Sequence, residues 1–130
     1  MSPMETELLS LNEKLLRAID GADWATYAAL CDASITCFEP EACGQLIAGL
    51  PFHKFYFDLA EGMKPSPRQS TIASPHVRVM GDAAVVSYVR VVQKLDPSGS
   101  PLSVAAHETR VWHKQSGGWK HVHFHRSPVS

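Results

Sequence analysis

Three histidines stand at alternate positions near the C-terminus, His121, His123 and His125, within "WKHVHFHRS". Side chains two residues apart in an extended strand point to the same face, so the three imidazoles could be the ligands of a metal ion. A zinc ion needs ligands that converge at about 2 Å, whereas same-face neighbours on a strand lie roughly 6.6 Å apart. Two of the imidazoles could share an ion, but a third ligand would have to come from elsewhere. The row is therefore predicted to be structural, and no metal is expected.

A second set of residues could bind an anion: Arg90, Glu108, Arg110 and Arg126. A strand arginine among apolar neighbours is costly unless its charge is paired. Three guanidinium groups against one carboxylate would suit a carboxylate ligand held by forked hydrogen bonds. Glu108 is the one nearby anion that the sequence identifies. The alternative interpretation is a set of structural ion pairs at the sheet end or at a subunit contact.

The turn at "DPSG" decides whether the first two arginines meet. If Asp96 pairs with Ser100 around a three-residue loop, Arg90 lies opposite Ala106 and shares a face with Arg110. A two-residue loop would place the two arginines on opposite faces. From the pattern alone, both registers remain open.

The turn at "SGG" poses the same question for the last strand. If Gln115 pairs with Trp119, Arg110 lies opposite Phe124, and all three histidines point to the other face. The three arginines then share one face, with Glu108 as their partner. With a two-residue loop, the histidines join Arg110 instead. One residue of register thus separates an arginine pocket from a histidine pocket.

The elements that carry these residues are predicted to be helices first and strands second. Ser2, Pro3 and Glu5 are typical of a capping box at the start of a helix, which Gly21 can end. Asp23 can cap a second helix. The remaining predicted elements are the helix "WATYAALC", a strand at 35–38, a helix "FHKFYFDLAEGM", strands from Thr71 onward including 83–95 and 102–114, and a last strand from Trp119.

This order predicts an α+β fold in a single domain, 1–130, with helices packed on one face of a strongly bent antiparallel sheet. A bent sheet folded over a long N-terminal helix forms a cone, and the hollow at its open end is the expected place for a ligand.

Composition excludes several classes of function. The chain of 130 residues has a net charge of −1 and no basic run, so neither a nucleic-acid nor a membrane partner is expected. The N-terminus lacks the basic start and apolar run of a signal peptide, and the chain is predicted to be cytosolic. Cys31, Cys37 and Cys43 are expected to be reduced thiols without a role. The charged fraction of 19% is low, which favours self-association.

Three segments carry a resemblance to a known family: "FEPEACGQLIAGLPFHKFYF" (38–57), "SPHVRVMGDAAVVSYVR" (74–90) and "ETRVWHKQSGGWKHVHFHRS" (108–127). In this combination and order they resemble the association, or hub, domain of calcium/calmodulin-dependent protein kinase type II. The resemblance runs from the first helix to Ser127, nearly the whole chain.

The resemblance implies a nuclear-transport-factor-two-like (cystatin-like) cone that pairs into dimers, which assemble into closed stacked rings. It also implies a non-catalytic domain whose arginine-lined cavity can hold a small carboxylate. The positions that match the family's pocket are His53, Arg90, Arg110 and Arg126, which favours the three-residue loop at "SGG". Tyr56 and Glu108 complete the predicted pocket.

The expected function is therefore self-assembly, with itself as partner, a small carboxylate or other anion as a possible ligand, and neither cofactor nor catalytic residue. The chain lacks the G-x-G-x-x-G, H-R-D and D-F-G motifs of a kinase and a basic helix for calmodulin. Met1 and the capped first helix favour a freestanding protein. The alternative is a cone-fold isomerase, dehydratase or cyclase acting on a small organic acid, with His53, Tyr56, Tyr88 and Glu108 as base and hydrogen-bond donors.

Overall fold

The computed structural model describes residues 1–129. Its single six-stranded sheet has the order β2-β1-β6-β5-β4-β3, and helices precede the long strands, which confirms the predicted α+β class. The elements are α1 (Pro3–Asp20), α2 (Trp24–Leu30), β1 (Cys31–Phe38), a short 3-10 turn (Pro40–Ala42), β2 (Ile47–Ala48), α3 (Pro51–Glu61), β3 (Arg68–Met80), β4 (Ala83–Leu95), β5 (Pro101–Gln115) and β6 (Gly118–Pro128).

The N-terminal helix begins as its sequence predicts. The Ser2 hydroxyl accepts a hydrogen bond from the Glu5 backbone N–H at 3.2 Å, and the Glu5 carboxylate accepts one from the Ser2 N–H at 2.9 Å. This reciprocal pair satisfies two N–H groups that a helix start would otherwise leave unpaired. The buried stripe of α1 contains Leu8 and Leu15, which belong to the core cluster formed with the inner face of the sheet.

Two strands begin several residues earlier than the sequence predicts, and one further strand is new. β1 begins at Cys31, four residues early, because Cys31 pairs with His121 of β6 in parallel. β3 begins at Arg68, which pairs with Lys94 of β4. The two-residue strand β2 was not predicted at all. In each case the extra strand residues are ordered by a partner distant in sequence, which local propensity does not register.

The first of the two deciding turns has the three-residue loop. The Asp96 N–H donates to the Ser100 carbonyl at 2.8 Å, and Gly99 has the positive φ of 87° that this turn requires. Arg90 is therefore paired with Ala106, as that register predicts. Arg90 and Arg110 share the inner face of the sheet.

The second turn is shorter than the family resemblance favoured. Gln115 pairs with Gly118, which leaves a two-residue loop. A bulge then inserts one residue, Val122, so the register shifts back and Arg110 faces Phe124 after all. The prediction that Arg110 lies opposite Phe124 is confirmed, but the prediction of a three-residue loop at "SGG" is wrong.

The bulge also splits the histidine row. His121, before the bulge, is completely buried on the inner face beside Arg110, whereas His125 after it is exposed. The His123 ring lies against β1, where its Nδ1 is 2.7 Å from the Thr36 hydroxyl. The prediction that all three histidines point away from the arginines is therefore wrong for His121. Across residues 1–129, no helix is long and apolar enough to cross a membrane.

Candidate functional site

A cavity of about 300 Å³ opens between the C-terminal end of α1, the helices α2 and α3, and the inner face of the sheet. Of the six predicted pocket residues, His53, Tyr56, Arg90, Arg110 and Arg126 line it, and Glu108 lies behind its wall. The other lining residues are Ile19, Ala22, Tyr27, Glu39, Glu41, Phe57, Ala60, Arg68 and Phe124. The wall thus combines an apolar half with a strongly charged half.

Arg110 is held at the centre of the wall by a buried network. Its Nε donates to the Tyr88 hydroxyl at 2.9 Å, and its Nη2 donates to Glu108 Oε1 at 3.0 Å. The Tyr88 hydroxyl in turn donates to the same carboxylate at 2.6 Å. The ring of Phe124 lies 4.5 Å from the guanidinium carbon, a cation–π contact. These contacts fix the orientation of a buried side chain.

The charge of Glu108 is stabilised although the group is buried. Burial by itself raises the pKa of this carboxyl, but Arg110, Arg90 and the Tyr88 hydroxyl outweigh it and lower the pKa below the ordinary value. Glu108 and Tyr88 are occupied by this network and do not line the cavity. Neither is placed to act as a base or a proton donor toward a ligand, so His53 and Tyr56 are the two residues of the enzyme alternative that line the cavity.

Arg90 is neutralised on the side of α1. Its Nη2 donates to Asp20 at 2.8 Å, its Nη1 to Glu108 at 3.3 Å and its Nε to the Ser70 hydroxyl at 2.8 Å. Arg68, also in the cavity wall, has its Nε 3.6 Å from Asp20. Asp20, the last residue of α1, therefore forms ion pairs with two arginines.

Arg126 is paired with the segment that follows β1. Its Nη2 donates to both carboxylate oxygens of Glu41 and lies 3.7 Å from Glu39. The expectation that Glu108 is the sole nearby anion is therefore wrong. Four guanidinium groups meet four carboxylates around the cavity, the latter being Asp20, Glu39, Glu41 and Glu108.

Sequence reasoning missed Asp20, Glu39 and Glu41 as members of the site. The two glutamates stand in "FEPEA", one of the segments that carry the resemblance, and that position was the available signal. Asp20 carried no signal, because it ends a helix whose spatial neighbour, β3, lies some 50 residues further on.

His53 projects from α3 into the site and is buried. Burial, and then the positive charge of Arg110, lower its pKa to about 4, so the imidazole is neutral at pH 7. Its Nδ1 lies 3.8 Å from Glu39 and its Nε2 lies 3.8 Å from the Cys37 thiol. Tyr56, by contrast, stands at the rim and is 39% exposed.

His121 lies beside Arg110, as the two-residue loop at "SGG" predicted for the histidines, although the family resemblance favoured the other register. Its Nε2 lies 3.4 Å from Arg110 Nη1, from which it can accept a hydrogen bond. Its Nδ1 is 3.4 Å from the Cys31 sulfur. Complete burial, and then Arg110, hold the pKa of His121 well below its usual range. The neutral ring thus accepts from Arg110 without adding a further positive charge.

One group of possible metal ligands comes together in residues 1–129. Cys37, Glu39 and His53 each bring a ligand atom within 4.8 Å of the others. The arrangement is poor for a cation, because the thiol and the carboxylate face different nitrogens of the imidazole. Burial also raises the pKa of the Cys37 thiol to about 12, and Arg126 lies 3.7 Å from Glu39.

We therefore expect purified protein to contain far less than one transition-metal ion per chain. Addition of a chelator should leave the melting temperature unchanged, since no bound ion stabilises the folded state. Elemental analysis and thermal melts with and without EDTA measure both. About one zinc per chain would contradict the prediction, and loss of that zinc in a Cys37→Ala variant would assign it to this group.

Comparison with known proteins decides the family. The model of the calcium/calmodulin dependent protein kinase II association domain matches residues 4–130. The chain belongs to this family. The association domain is not catalytic, and the match is to it and not to the kinase domain.

The relatives agree with this assignment. The delta subunit of calcium/calmodulin-dependent protein kinase type II from Oryctolagus cuniculus is 44% identical over 122 residues, which cover 93% of this chain but only 23% of that protein. The hub homology domain of Chlamydomonas reinhardtii is 52% identical, with a TM-score of 0.90, and the match covers 96% of this chain and 98% of that one.

A more distant structure shows the fold class alone. An NTF2-like superfamily protein from Salmonella enterica has a TM-score of 0.80 at 23% identity, covering 97% of this chain and 91% of that one. The predicted nuclear-transport-factor-two-like fold is confirmed.

Proposed function

We propose that this association domain assembles through dimers into a closed ring, acts in the cytoplasm, and presents in each subunit an arginine-lined pocket for a small carboxylate. The observation that carries the assembly is the family match over residues 4–130. Closed point-group symmetry is the usual outcome when identical chains associate.

Exposed apolar side chains support self-association. Phe55 and Leu59 stand four residues apart on α3 and are 58% and 47% exposed, and Met63, two residues beyond the end of this helix, is 65% exposed. Residues at this spacing form one stripe on a helix surface. Burying that stripe against another subunit would be favourable by about 25 cal/mol per Å² of apolar area removed from water.

The pocket supports the binding of a carboxylate. Arg110 is fixed by Glu108 and Tyr88, so its orientation costs little entropy when a ligand binds. The neighbouring imidazole of His53 is neutral and carries one N–H group, which can donate a hydrogen bond. The apolar half of the wall, which includes Phe57 and Ile19, suits a short aliphatic or aromatic acid.

We expect the purified chain to have a mass that is a multiple of 14.3 kDa, at least that of a dimer, at micromolar concentration. Native mass spectrometry and light scattering give the subunit number, and a dilution series separates a stable ring from weak association. A single species at the monomer mass would contradict the proposed assembly.

A further inference from the structure

The ion pairs around the cavity differ in where the acidic partner lies. Arg110 is paired with Glu108, which stands behind the wall and does not line the cavity. Arg126 is paired with Glu41, and both of these residues line it. The carboxylate of Glu41 therefore already occupies the position that a bound anion would take on Arg126.

Glu39, the other carboxylate near Arg126, is only 8% exposed, and the exposed Arg68 is paired with Asp20, which does not line the cavity. Among the pairs whose two partners both line the cavity, Arg126–Glu41 is therefore the accessible one. The side chains are 24% and 37% exposed, whereas those of Arg110 and Glu108 are 2% and 0% exposed. Ion pairs in contact with water contribute little net free energy and are readily exchanged, unlike buried pairs. The pair at the rim is therefore the one that a ligand can break.

The backbone around Glu41 allows the exchange. The 3-10 turn Pro40–Ala42 is held by the hydrogen bond from the Ala42 N–H to the Glu39 carbonyl at 3.0 Å and that from the Cys43 N–H to the Pro40 carbonyl at 3.1 Å. Both bonds are between backbone groups. A rotation of the Glu41 side chain away from Arg126 leaves them intact.

We propose that Glu41 is a built-in competitor for the pocket, so that a carboxylate ligand binds by displacing Glu41 from Arg126. The inference rests on the proposed function of the pocket and adds the residue that sets its affinity. With four guanidinium groups and four carboxylates around the cavity, an incoming anion finds no excess positive charge. It must take over the hydrogen bonds of a resident carboxylate, and Glu41 is the one within reach.

Calorimetry with sodium acetate and sodium butyrate in chloride-free buffer tests the proposal. Glu41→Gln keeps the shape of the side chain but removes its charge, and we expect both ligands to bind at least about tenfold tighter than to the wild type. Glu7→Gln is the matched control, because Glu7 is exposed on α1 and does not line the cavity. It should leave both affinities unchanged.

A double-mutant cycle isolates the mechanism from a general change of charge. If Glu41 competes for Arg126, Glu41→Gln should give no gain in an Arg126→Gln background. An equal gain in affinity in both backgrounds would overturn the exchange mechanism. The gain would then come from the long-range electrostatic effect of removing one negative charge.

The remaining outcomes separate this proposal from the one it rests on. Binding to wild type that Glu41→Gln leaves unchanged or weakens would overturn the role of Glu41 and leave the carboxylate pocket standing. Binding that appears only in Glu41→Gln supports the competitor strongly. No binding by either protein at tens of millimolar ligand would overturn both, because even the vacated pocket would not accept a carboxylate.

Discussion

Replacing Glu108 with alanine is expected to lower the free energy of unfolding by about 3–5 kcal/mol. The carboxylate is completely buried and accepts hydrogen bonds from Arg90, Arg110 and Tyr88. Its removal leaves Arg110 buried with no carboxylate partner, and an unpaired buried charge is among the most destabilising changes a protein can suffer. Urea unfolding at one fixed protein concentration measures the loss, since assembly would make it concentration-dependent.

Two comparisons make this test specific. Glu7→Ala removes an exposed carboxylate from α1 and should change stability by less than about 0.5 kcal/mol. A loss below about 1 kcal/mol in Glu108→Ala would mean that the network does not stabilise the fold.

The pH dependence of stability provides a second readout on Glu108. Because the folded-state pKa of Glu108 lies below its ordinary value, its stabilising contribution is present at neutral pH and is lost as the pH falls through that lowered pKa. The acid limb of the wild-type stability curve should therefore be steeper than that of Glu108→Ala. Parallel acid limbs would mean that Glu108 has similar pKa values in the folded and unfolded states.

Replacing Arg110 with alanine is expected to weaken acetate and butyrate binding by about 10- to 100-fold. Its guanidinium lines the cavity, and each charge-assisted hydrogen bond contributes about 1.5–3 kcal/mol. Calorimetry on wild type and variant measures the ratio. Arg78→Ala, at an exposed position of β3, is the matched control and should bind like the wild type.

If three arginines shared Glu108 as their one partner, as the sequence indicated, loss of Arg110 would relieve repulsion among them and strengthen folding slightly. The structure reverses that expectation, because Arg110 faces Glu108 at 3.0 Å and its removal leaves a buried carboxylate with less compensation. Near-ultraviolet circular dichroism must therefore confirm that the variant is folded before binding is compared. If it is unfolded, Arg126→Gln provides the second test, and equal affinity in the wild type and a folded arginine variant would contradict the pocket.

Most of the fold could be predicted from the sequence because its determinants are local. The capping box at Ser2, the helical spacing of Leu8 and Leu15 on α1, and the β-branched run of β4 each fix an element through contacts within a few residues. The three-residue loop at Asp96 is equally local, since Gly99 supplies the positive φ that this turn needs. The family resemblance then added His53 and the three arginines to one site.

The partners of those arginines were decided by the tertiary structure alone. Asp20 reaches Arg90 only because α1 packs against β3 and β4, and Glu41 reaches Arg126 only because β1 pairs with β6. Nothing in the spacing of charges along the chain encodes such a meeting. The site is therefore balanced in charge, where the sequence suggested an excess of positive charge.

The sequence pattern also could not decide to which face of the sheet each histidine points. Alternation along β6 predicts a single face for the whole row, and it fails at Val122, where one bulged residue moves His121 to the side of Arg110. The two-residue loop at "SGG" shifts the register of β6 by one residue, and the bulge at Val122 shifts it back. Arg110 therefore still pairs with Phe124, as predicted, but His121, which precedes the bulge, lies on the opposite face from the one predicted. A strand pattern records how residues alternate, but the packing of β5 against β6 decides where that alternation is interrupted.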